Sequence, residues 1–349
     1  LGKPASLEID LSPTITRTFD GICSQIHQVQ YVREGLSTYQ LTIVPRLWLL
    51  TQRRNYRIFQ HESEPEIVAR LLREWEIPFA EHFDAEAYLA RKYRVQYAES
   101  DYDFVCRLLE DAGIAFYFDQ EGVMILTDKA HAAEPRAPIP YNHEIDATTL
   151  IEAVTEVEVG KQVRPGKYTI RDHDHRRGAA DLEAGAKVDG APDEAQLERY
   201  HYVPGAFLFA IEPAPGTPNA DDRGAARHDP DEGIKVAQRR LEAKRASASY
   251  LAFATTAWTL RVGDVFHIKG HKNLALVKPV LVLSTAIAGT VDSGCTLHCE
   301  AASTAAPHRP RMSTRRPRVS GVESATVVGP PGEEIHTDEF GRVRVQFHW

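Results

Sequence analysis

Cysteine is scarce in this chain, and long apolar runs are missing. Only four of the 349 residues are cysteine. That is too few for a disulfide scaffold and is typical of a protein that assembles in a reducing cytosol. A membrane-spanning helix needs about 20 consecutive apolar residues, and no run approaches that length, so we expect no membrane-spanning segment. The first residues show no basic stretch followed by an apolar segment, so we also expect no signal peptide.

Positive charge is outnumbered as well. Lys and Arg total 41 against 49 Asp and Glu, which gives a net charge of −8 at pH 7. A surface with this balance repels the phosphate backbone of nucleic acids. We therefore expect no nucleic-acid partner.

The familiar catalytic signatures are missing too. The sequence contains no G-x-S-x-G, P-loop, G-x-G-x-x-G or H-E-x-x-H motif. A catalytic triad assembled in space would escape such a search, but no class of enzyme is indicated. We therefore predict a protein that is not an enzyme and needs no cofactor.

The densest cluster of metal-ligand residues lies at 171–177 (RDHDHRR). His173 and His175 are two apart and would share one face of a strand, as two ligands of a metal site or an acid–base pair would. A solvated, charged strand end explains the same residues, and we favour it. A metal-dependent hydrolase using His173 and His175 is kept as the alternative from another functional class.

Cys295 and Cys299 also suggest a metal or redox site. Residues four apart on a strand lie about 13 Å apart at about 3.3 Å per residue, whereas a disulfide needs Cα atoms within about 7 Å. We therefore predict that both cysteine side chains lie on the inward face of the strand and act there as small apolar groups. Cys23 and Cys106 are predicted as separate core positions.

Most of the chain has the pattern of strands separated by short helices. This predicts a mainly β fold with a few short helices. Strands are expected at 6–10, 21–26, 39–44, 114–118, 123–127, 249–257, 260–268 around a turn at Gly263-Asp264, 280–286 and 295–300. Residues 178–195 and 212–233 lack apolar periodicity and are predicted as exposed loops, and 303–318 as a linker.

Two helices are predicted from their terminal residues. Ser63 and Glu66 have the spacing of a capping box, and Pro65 fits the first turn of the helix that follows. Ser100 begins the second helix, which Gly113 ends. We therefore expect helices close to 64–75 and 101–112.

The two helices match each other after a shift of 37 residues. Trp75 and Leu108 lie on their apolar stripes and are predicted core positions. We favour convergence of two capped helices over local duplication, because strands do not visibly repeat around the match. A third helix is expected at 234–246, with Ile234, Ala237 and Leu241 on its buried side.

Both ends of the chain suggest a fragment. The first residue is not Met, and the last segment, 342–349, is a strand in which apolar and polar residues alternate strictly. The apolar residues are Val343, Val345, Phe347 and Trp349. We expect a last domain that has only begun, with this strand paired to one near 325–328.

Four segments together resemble a known family. They are 57–60 (RIFQ), 93–105 (YRVQYAESDYDFV), 107–118 (RLLEDAGIAFYF) and 327–349 (VVGPPGEEIHTDEFGRVRVQFHW). They are similar to the VgrG family, the spike proteins of bacterial type VI secretion, which are related to tailed-phage baseplate hubs. The resemblance covers nearly the whole chain.

The resemblance implies a fold and a domain division. The fold would be phage-tail-hub-like: two β-barrel-type subdomains with inserted helices, followed by the start of an OB-fold. We expect the hub at 1–318, with an internal boundary near 150–160, and the truncated OB-fold spike base at 319–349. Residues for the trimer and tube-docking interface are not indicated.

The resemblance also implies a function and partners. Three chains would form a ring with pseudo-sixfold symmetry that caps the hexameric Hcp tube, carries a PAAR-type tip protein and delivers effectors into target cells. The protein would be assembled in the bacterial cytoplasm and secreted through the type VI system. A hub of a phage or phage-like contractile tail is the alternative within the same architecture.

Overall fold

The computed structural model describes most of the chain. The described residues are 1–12, 14–33, 35–144, 151–173, 182–189, 192–207, 209, 229–273, 276, 278–291, 294–333, 336–337 and 341–349. Strands dominate this part, and the helices are short. Among its helices, none has both the length and the apolar content needed to span a membrane.

The elements follow one another in a mostly β order. In chain order the strands are β1 (Pro4–Ser12), β2 (Ile15–Gln30), β3 (Thr38–Val44), β4 (Arg54–Phe59), β5 (Phe79–His82), β6 (Arg94–Ser100), β7 (Ala115–Phe118), β8 (Met124–Thr127), β9 (Ile139–Pro140), β10 (Val154–Lys161), β11 (Lys167–Asp172), β12 (Leu182–Lys187), β13 (Glu198–Tyr202), β14 (Ser249–Thr255), β15 (Val265–Phe266), β16 (Ile268–Lys269), β17 (Val280–Thr290), β18 (Gly294–Ser303), β19 (Ala325–Val328) and β20 (Arg344–Phe347). The α-helices are α1 (Glu64–Glu74), α2 (Asp101–Ala112), α3 (Pro192–Ala195) and α4 (Pro230–Arg245). Short 3₁₀ helices cover Arg46–Gln52, Ala85–Ala87 and Ala130–Ala132. The prediction of a mainly β fold with short helices is confirmed.

The chain begins with an antiparallel meander of β1, β2 and β3. Its long middle strand pairs Phe19 with Leu7 on one side and Ile26 with Leu41 on the other. Directly opposed residues of an antiparallel pair lie on the same face. The meander therefore presents apolar pairs at both of its strand interfaces.

Two strand–helix–strand units follow the meander. The first is β4-α1-β5 and the second is β6-α2-β7. The units meet twice, because β4 pairs antiparallel with β6, and β5 and β7 lie on either side of β8. The strands around the matched helices thus repeat, although the sequence pattern did not show it. This removes our reason for preferring convergence of the two helices over a local duplication.

Both of these helices begin and end as predicted. The Ser63 and Glu66 side chains form the capping box at α1. At α2 the Ser100 side chain accepts the backbone N–H of Asp103. Gly113 follows α2 with a φ of 73°, the left-handed conformation that glycine adopts without a steric penalty.

The first core forms where α1 packs on α2. Their apolar stripes are fully buried, and Leu108 is confirmed as a core residue. The buried stripe residues are Ile67, Val68, Leu71, Leu72, Phe104, Val105, Leu108 and Leu109. The prediction for Trp75 was wrong in part: α1 ends at Glu74, and Trp75 is its C-cap residue, half-buried at the edge of the core.

The second core lies on a five-stranded sheet in the order β10-β14-β18-β17-β15. The turn predicted at Gly263-Asp264 is confirmed, with Gly263 at a φ of 93°. The strands predicted around it at 260–268 were only partly right, because just the two-residue strands β15 and β16 form, both after the turn. Leu11 and Ile15 from the meander pack against this core. The amino-terminal strands therefore contact the second half of the chain.

A third core lies between α4 and the β12-β11-β13 sheet. Here two predictions need correction. Part of the predicted loop at 178–195 is strand β12, whose Leu182 and Ala184 are buried between small residues that blur the apolar pattern. The third helix begins at Pro230, capped by Asp229, and Ile234 is exposed; Ala237 and Leu241 are buried as predicted.

The last described elements are the hairpin of β19 and β20. Ala325 pairs with Phe347 and Val328 with Arg344, so the predicted pairing is confirmed. Residues 304–324 contain no helix or strand. This segment includes most of the predicted linker at 303–318.

Candidate interaction surface and charged clusters

The histidine pair is only half described. His173 directly follows β11 and is exposed, and its backbone N–H donates to Asp172 Oδ1 at 2.7 Å. His175 lies outside the described residues. Within those residues, no group of three or more His, Cys, Asp and Glu side chains is placed to hold a metal ion.

All four cysteines lie in the described part of the chain, and all four are free thiols. Cys295 and Cys299 are both in β18, where Cys299 is buried and Cys295 packs against the second core, as the alternating pattern predicts. Burial raises the pKa of the Cys299 thiol to about 12, so it is a poor nucleophile. Cys23 and Cys106 are half-buried rather than fully in the core.

Asp101 is the centre of a buried charged cluster between α1, α2 and the β4–β6 pair. Its carboxylate is fully buried and accepts four hydrogen bonds from side chains. The donors are Arg53 Nε at 2.6 Å and Trp75 Nε1 at 2.9 Å on Oδ2, and Gln96 Nε2 at 2.7 Å and Arg57 Nη2 at 3.2 Å on Oδ1. Glu74 accepts further hydrogen bonds from both arginines. The arrangement locks the two repeated units together.

A second charged cluster surrounds Glu64 in the first turn of α1. Arg91 Nε lies 2.8 Å and Arg94 Nη2 lies 2.5 Å from Glu64 Oε1. Burial alone would raise the pKa of Glu64, but the two guanidinium groups outweigh it and hold the pKa at about 2. Glu64 is therefore a carboxylate at all ordinary pH values.

Beside this cluster lies an open polar cleft, which we call the arginine cleft. Its charged walls are Arg91, Arg94, Arg240, Arg316 and Asp111. Its remaining walls are the turn at 203–206 and Val236. No sequence signal pointed to this cleft, since its arginines are scattered along the chain from Arg91 to Arg316 and are gathered only by the fold.

The meander carries the most conspicuous apolar surface near the amino terminus. Large apolar side chains that are more than a third exposed lie along it, and two pairs of them, Leu7 with Phe19 and Ile26 with Leu41, are directly opposed. The exposed side chains are Leu7, Phe19, Ile26, Val29, Tyr31, Leu36, Tyr39 and Leu41. We call this set the meander surface.

The terminal hairpin contacts the first half of the chain. Trp349 lies 5.4 Å from the Tyr56 ring and 6.2 Å from the Tyr97 ring, centroid to centroid, and its Nε1 donates to Glu323 Oε2 at 3.2 Å. Tyr97 also donates to Glu323. Val343 and Val345 are exposed, as predicted for this strand. Trp349 is exposed as well, although it packs against both tyrosines, a contact that the strand pattern did not predict. Phe347 is half-buried rather than exposed.

The part of the chain that forms the meander, the two helical units and most of the five-stranded sheet matches a known protein family. The model of the phage tail baseplate hub family matches residues 1–293, and the chain belongs to that family. Its relatives include the type VI secretion system spike protein VgrG1c of Pseudomonas aeruginosa, 30% identical over all of this chain. The predicted resemblance to the VgrG family is confirmed.

The chain spans about half the length of the curated relatives it matches: 47% of VgrG1c. Another relative, the actin cross-linking toxin VgrG1 of Vibrio cholerae, is 30% identical over 99% of this chain, which covers 31% of the toxin.

Among solved structures, an Escherichia coli component of the type VI secretion system has the same fold. It is described as structurally similar to the T4 bacteriophage tail proteins gp27 and gp5. The TM-score is 0.63 at 21% identity, over 95% of this chain and 73% of the other. This likeness confirms the phage-tail-hub-like fold that the resemblance implied.

Proposed function

We propose that this chain is the hub part of a type VI secretion spike. In this proposal three copies form a ring that caps the Hcp tube, carries a PAAR-type tip protein and delivers effectors into target cells. The similarity to a VgrG spike protein along the entire chain is the observation that carries it. The hub would occupy 1–318, with an internal boundary near 150–160, and the spike base would begin at 319.

The role is structural rather than catalytic in this proposal. The protein would be assembled in the bacterial cytoplasm and expelled with the tube. The relative VgrG1c is named as a spike protein, which supports this role, whereas the Vibrio cholerae relative is named as a toxin.

The meander surface is the best candidate for the contact between copies of the hub. Ile26 and Leu41 form a directly opposed, half-exposed apolar pair on it. Heterologous contacts of one such surface with a different surface of the next copy would close a ring. Burial of these side chains would supply a favourable hydrophobic term of about 25 cal/mol per Å² of apolar area.

Release of Hcp into the medium tests the proposal in a strain that lacks other spike genes. Deletion of the gene should abolish release, and the wild-type gene should restore it. Leu41→Glu should fail to restore release, because it places a charge in the contact between copies, whereas Val291→Glu, on a fully exposed turn, should restore it. Unchanged release after deletion would contradict the role in secretion, and full restoration by Leu41→Glu would exclude the meander surface as the contact.

A hub of a phage or phage-like contractile tail is the second candidate, because the matching family model is named for phage tail hubs. The genes beside this one separate the two functions. Genes for a type VI membrane complex would favour secretion, and genes for a capsid or for tail assembly would favour a phage particle.

A further inference from the structure

The arginine cleft lies where three parts of the chain meet. Arg91 precedes β6 and Arg94 begins it, Arg240 belongs to α4, and Arg316 comes from the segment that leads to the terminal hairpin. The space between them, including its open mouth, is about 440 Å³. A group bound there would touch the second helical unit, the third core and the 304–324 segment at once.

The cleft has more positive than negative charge. Four guanidinium groups face two carboxylates, Glu64 and Asp111. Glu64 is shared by Arg91 and Arg94. Asp111 lies within hydrogen-bond distance of Arg316 and 3.7 Å from Arg240 Nη2. Two positive charges are therefore left over. Arg240 is only 8% exposed, and among the residues that the structure describes its one carboxylate neighbour is Asp111.

Two buried donors of the cleft are unpartnered. Arg94 Nε and Arg240 Nε have no hydrogen-bond partner among the described residues. An unpaired buried N–H costs free energy comparable to a lost hydrogen bond. Both Nε atoms are shut off from solvent, so a bound anion with several acceptor oxygens would accept instead from the exposed parts of the arginines that line the cleft and would offset their excess charge.

The walls of the cleft are held in place without a ligand. Asp172 accepts the backbone N–H groups of Gly205 at 2.8 Å and Phe207 at 3.1 Å, and so fixes the turn at 203–206. Arg91 lies over the Phe209 ring at 4.0 Å and donates to Ala206 O at 3.3 Å. Preorganised donors lose little side-chain entropy on binding, and guanidinium forks match the oxygens of phosphate and carboxylate groups.

We propose that the arginine cleft binds an oxyanion, a phosphate or carboxylate group, which joins α4 to the segment that leads into the terminal hairpin. The site follows from the described residues alone and does not depend on the role in secretion. Its open mouth would allow the group to be a free ion or the end of a larger molecule.

Titration calorimetry with inorganic phosphate at pH 7 tests this site on the whole chain, with sodium chloride of equal ionic strength as the reference. We expect saturable binding of one phosphate per chain. Arg240→Gln and Arg316→Gln should each weaken it at least tenfold, and Arg315→Gln, an exposed neighbour outside the cleft, should leave it unchanged. If Arg240→Gln does not fold, Arg316→Gln alone decides.

A second titration, with a short glutamate-rich peptide, separates the two sources of the oxyanion. Tighter binding of phosphate would assign a free ion, and tighter binding of the peptide would assign a carboxylate of a partner. Equal heats for phosphate and chloride together with no binding of the peptide, or wild-type affinity in both cleft variants, would overturn the proposal.

Discussion

Replacing Asp101 by Asn should be among the most damaging single-atom changes in this protein. The carboxylate is fully buried and is surrounded on both oxygens by donors. Arg53 and Trp75 donate to Oδ2, and Arg57 and Gln96 donate to Oδ1. An amide offers one acceptor oxygen, so whichever way the new side chain turned, its NH₂ group would face two other donors.

The expected loss in the free energy of unfolding follows from this geometry. Removing one partner of a buried ion pair typically costs about 3–5 kcal/mol, since the remaining charges keep their desolvation penalty. Glu74 still partners both arginines, which places the expected loss near the lower end, about 3 kcal/mol. Trp75→Phe removes one hydrogen bond to a charged group and should cost about 1.5–3 kcal/mol.

Urea unfolding measured by far-ultraviolet circular dichroism gives the free energies. Glu76→Gln is the matched control, because this carboxylate at the end of α1 is almost fully exposed and lies 3.7 Å from Arg46; it should change stability by less than about 0.5 kcal/mol. The double variant Asp101→Asn, Trp75→Phe should lose less than the two single losses together, since both remove the same bond. A loss below about 1 kcal/mol for Asp101→Asn would refute this account of the cluster.

Three further changes have defined outcomes. Leu108→Ala should lower the free energy of unfolding by about 2–5 kcal/mol, because it leaves a cavity between α1 and α2, whereas Val291→Ala, at a fully exposed site outside the meander surface, should have little effect in the same urea titration. Glu64→Gln should destabilise the protein at pH 7. The pKa of Glu64 is lowered from 4.5 to about 2 in the folded state, so its contribution of about 3 kcal/mol to stability is present above pH 4.5 and is lost as the pH falls towards 2. The difference in free energy of unfolding between wild type and variant should therefore narrow over this range. Ending the chain at Pro317 removes β19 and β20 and should raise solubility without lowering the thermal midpoint of the hub; unfolding of the shortened chain would contradict the proposed boundary near 319.

Local signals in the sequence were enough to predict the capped helices. Ser63, Glu66 and Gly113 act through bonds within a few residues of themselves, so their spacing carries the information. The strand pairing of the terminal hairpin was predictable from the strict alternation of apolar and polar residues at 342–349 and the apolar run at 325–328. Strand β12 was missed because its sequence, Leu182–Lys187, is rich in Ala and Gly and has little apolar contrast.

The charged clusters were beyond prediction from one sequence. Asp101 follows an N-cap, where an acidic residue is ordinary on helix-dipole grounds, and nothing local shows that Arg53, 48 positions earlier, reaches it. The arginine cleft depends on packing α4 beside α2, which no periodicity encodes. Trp75 was predicted as core because its stripe position is apolar, but the stripe does not show that α1 ends at Glu74 and leaves Trp75 half-buried at the C-cap.

This chain is proposed to be the hub of a trimeric spike. Light scattering on the full-length protein from the same reading frame, coupled to size-exclusion chromatography, measures this directly. We expect a single species with three times the mass of one chain, and a smaller species for Leu41→Glu. A monodisperse monomer or dimer of the intact protein would contradict the claim.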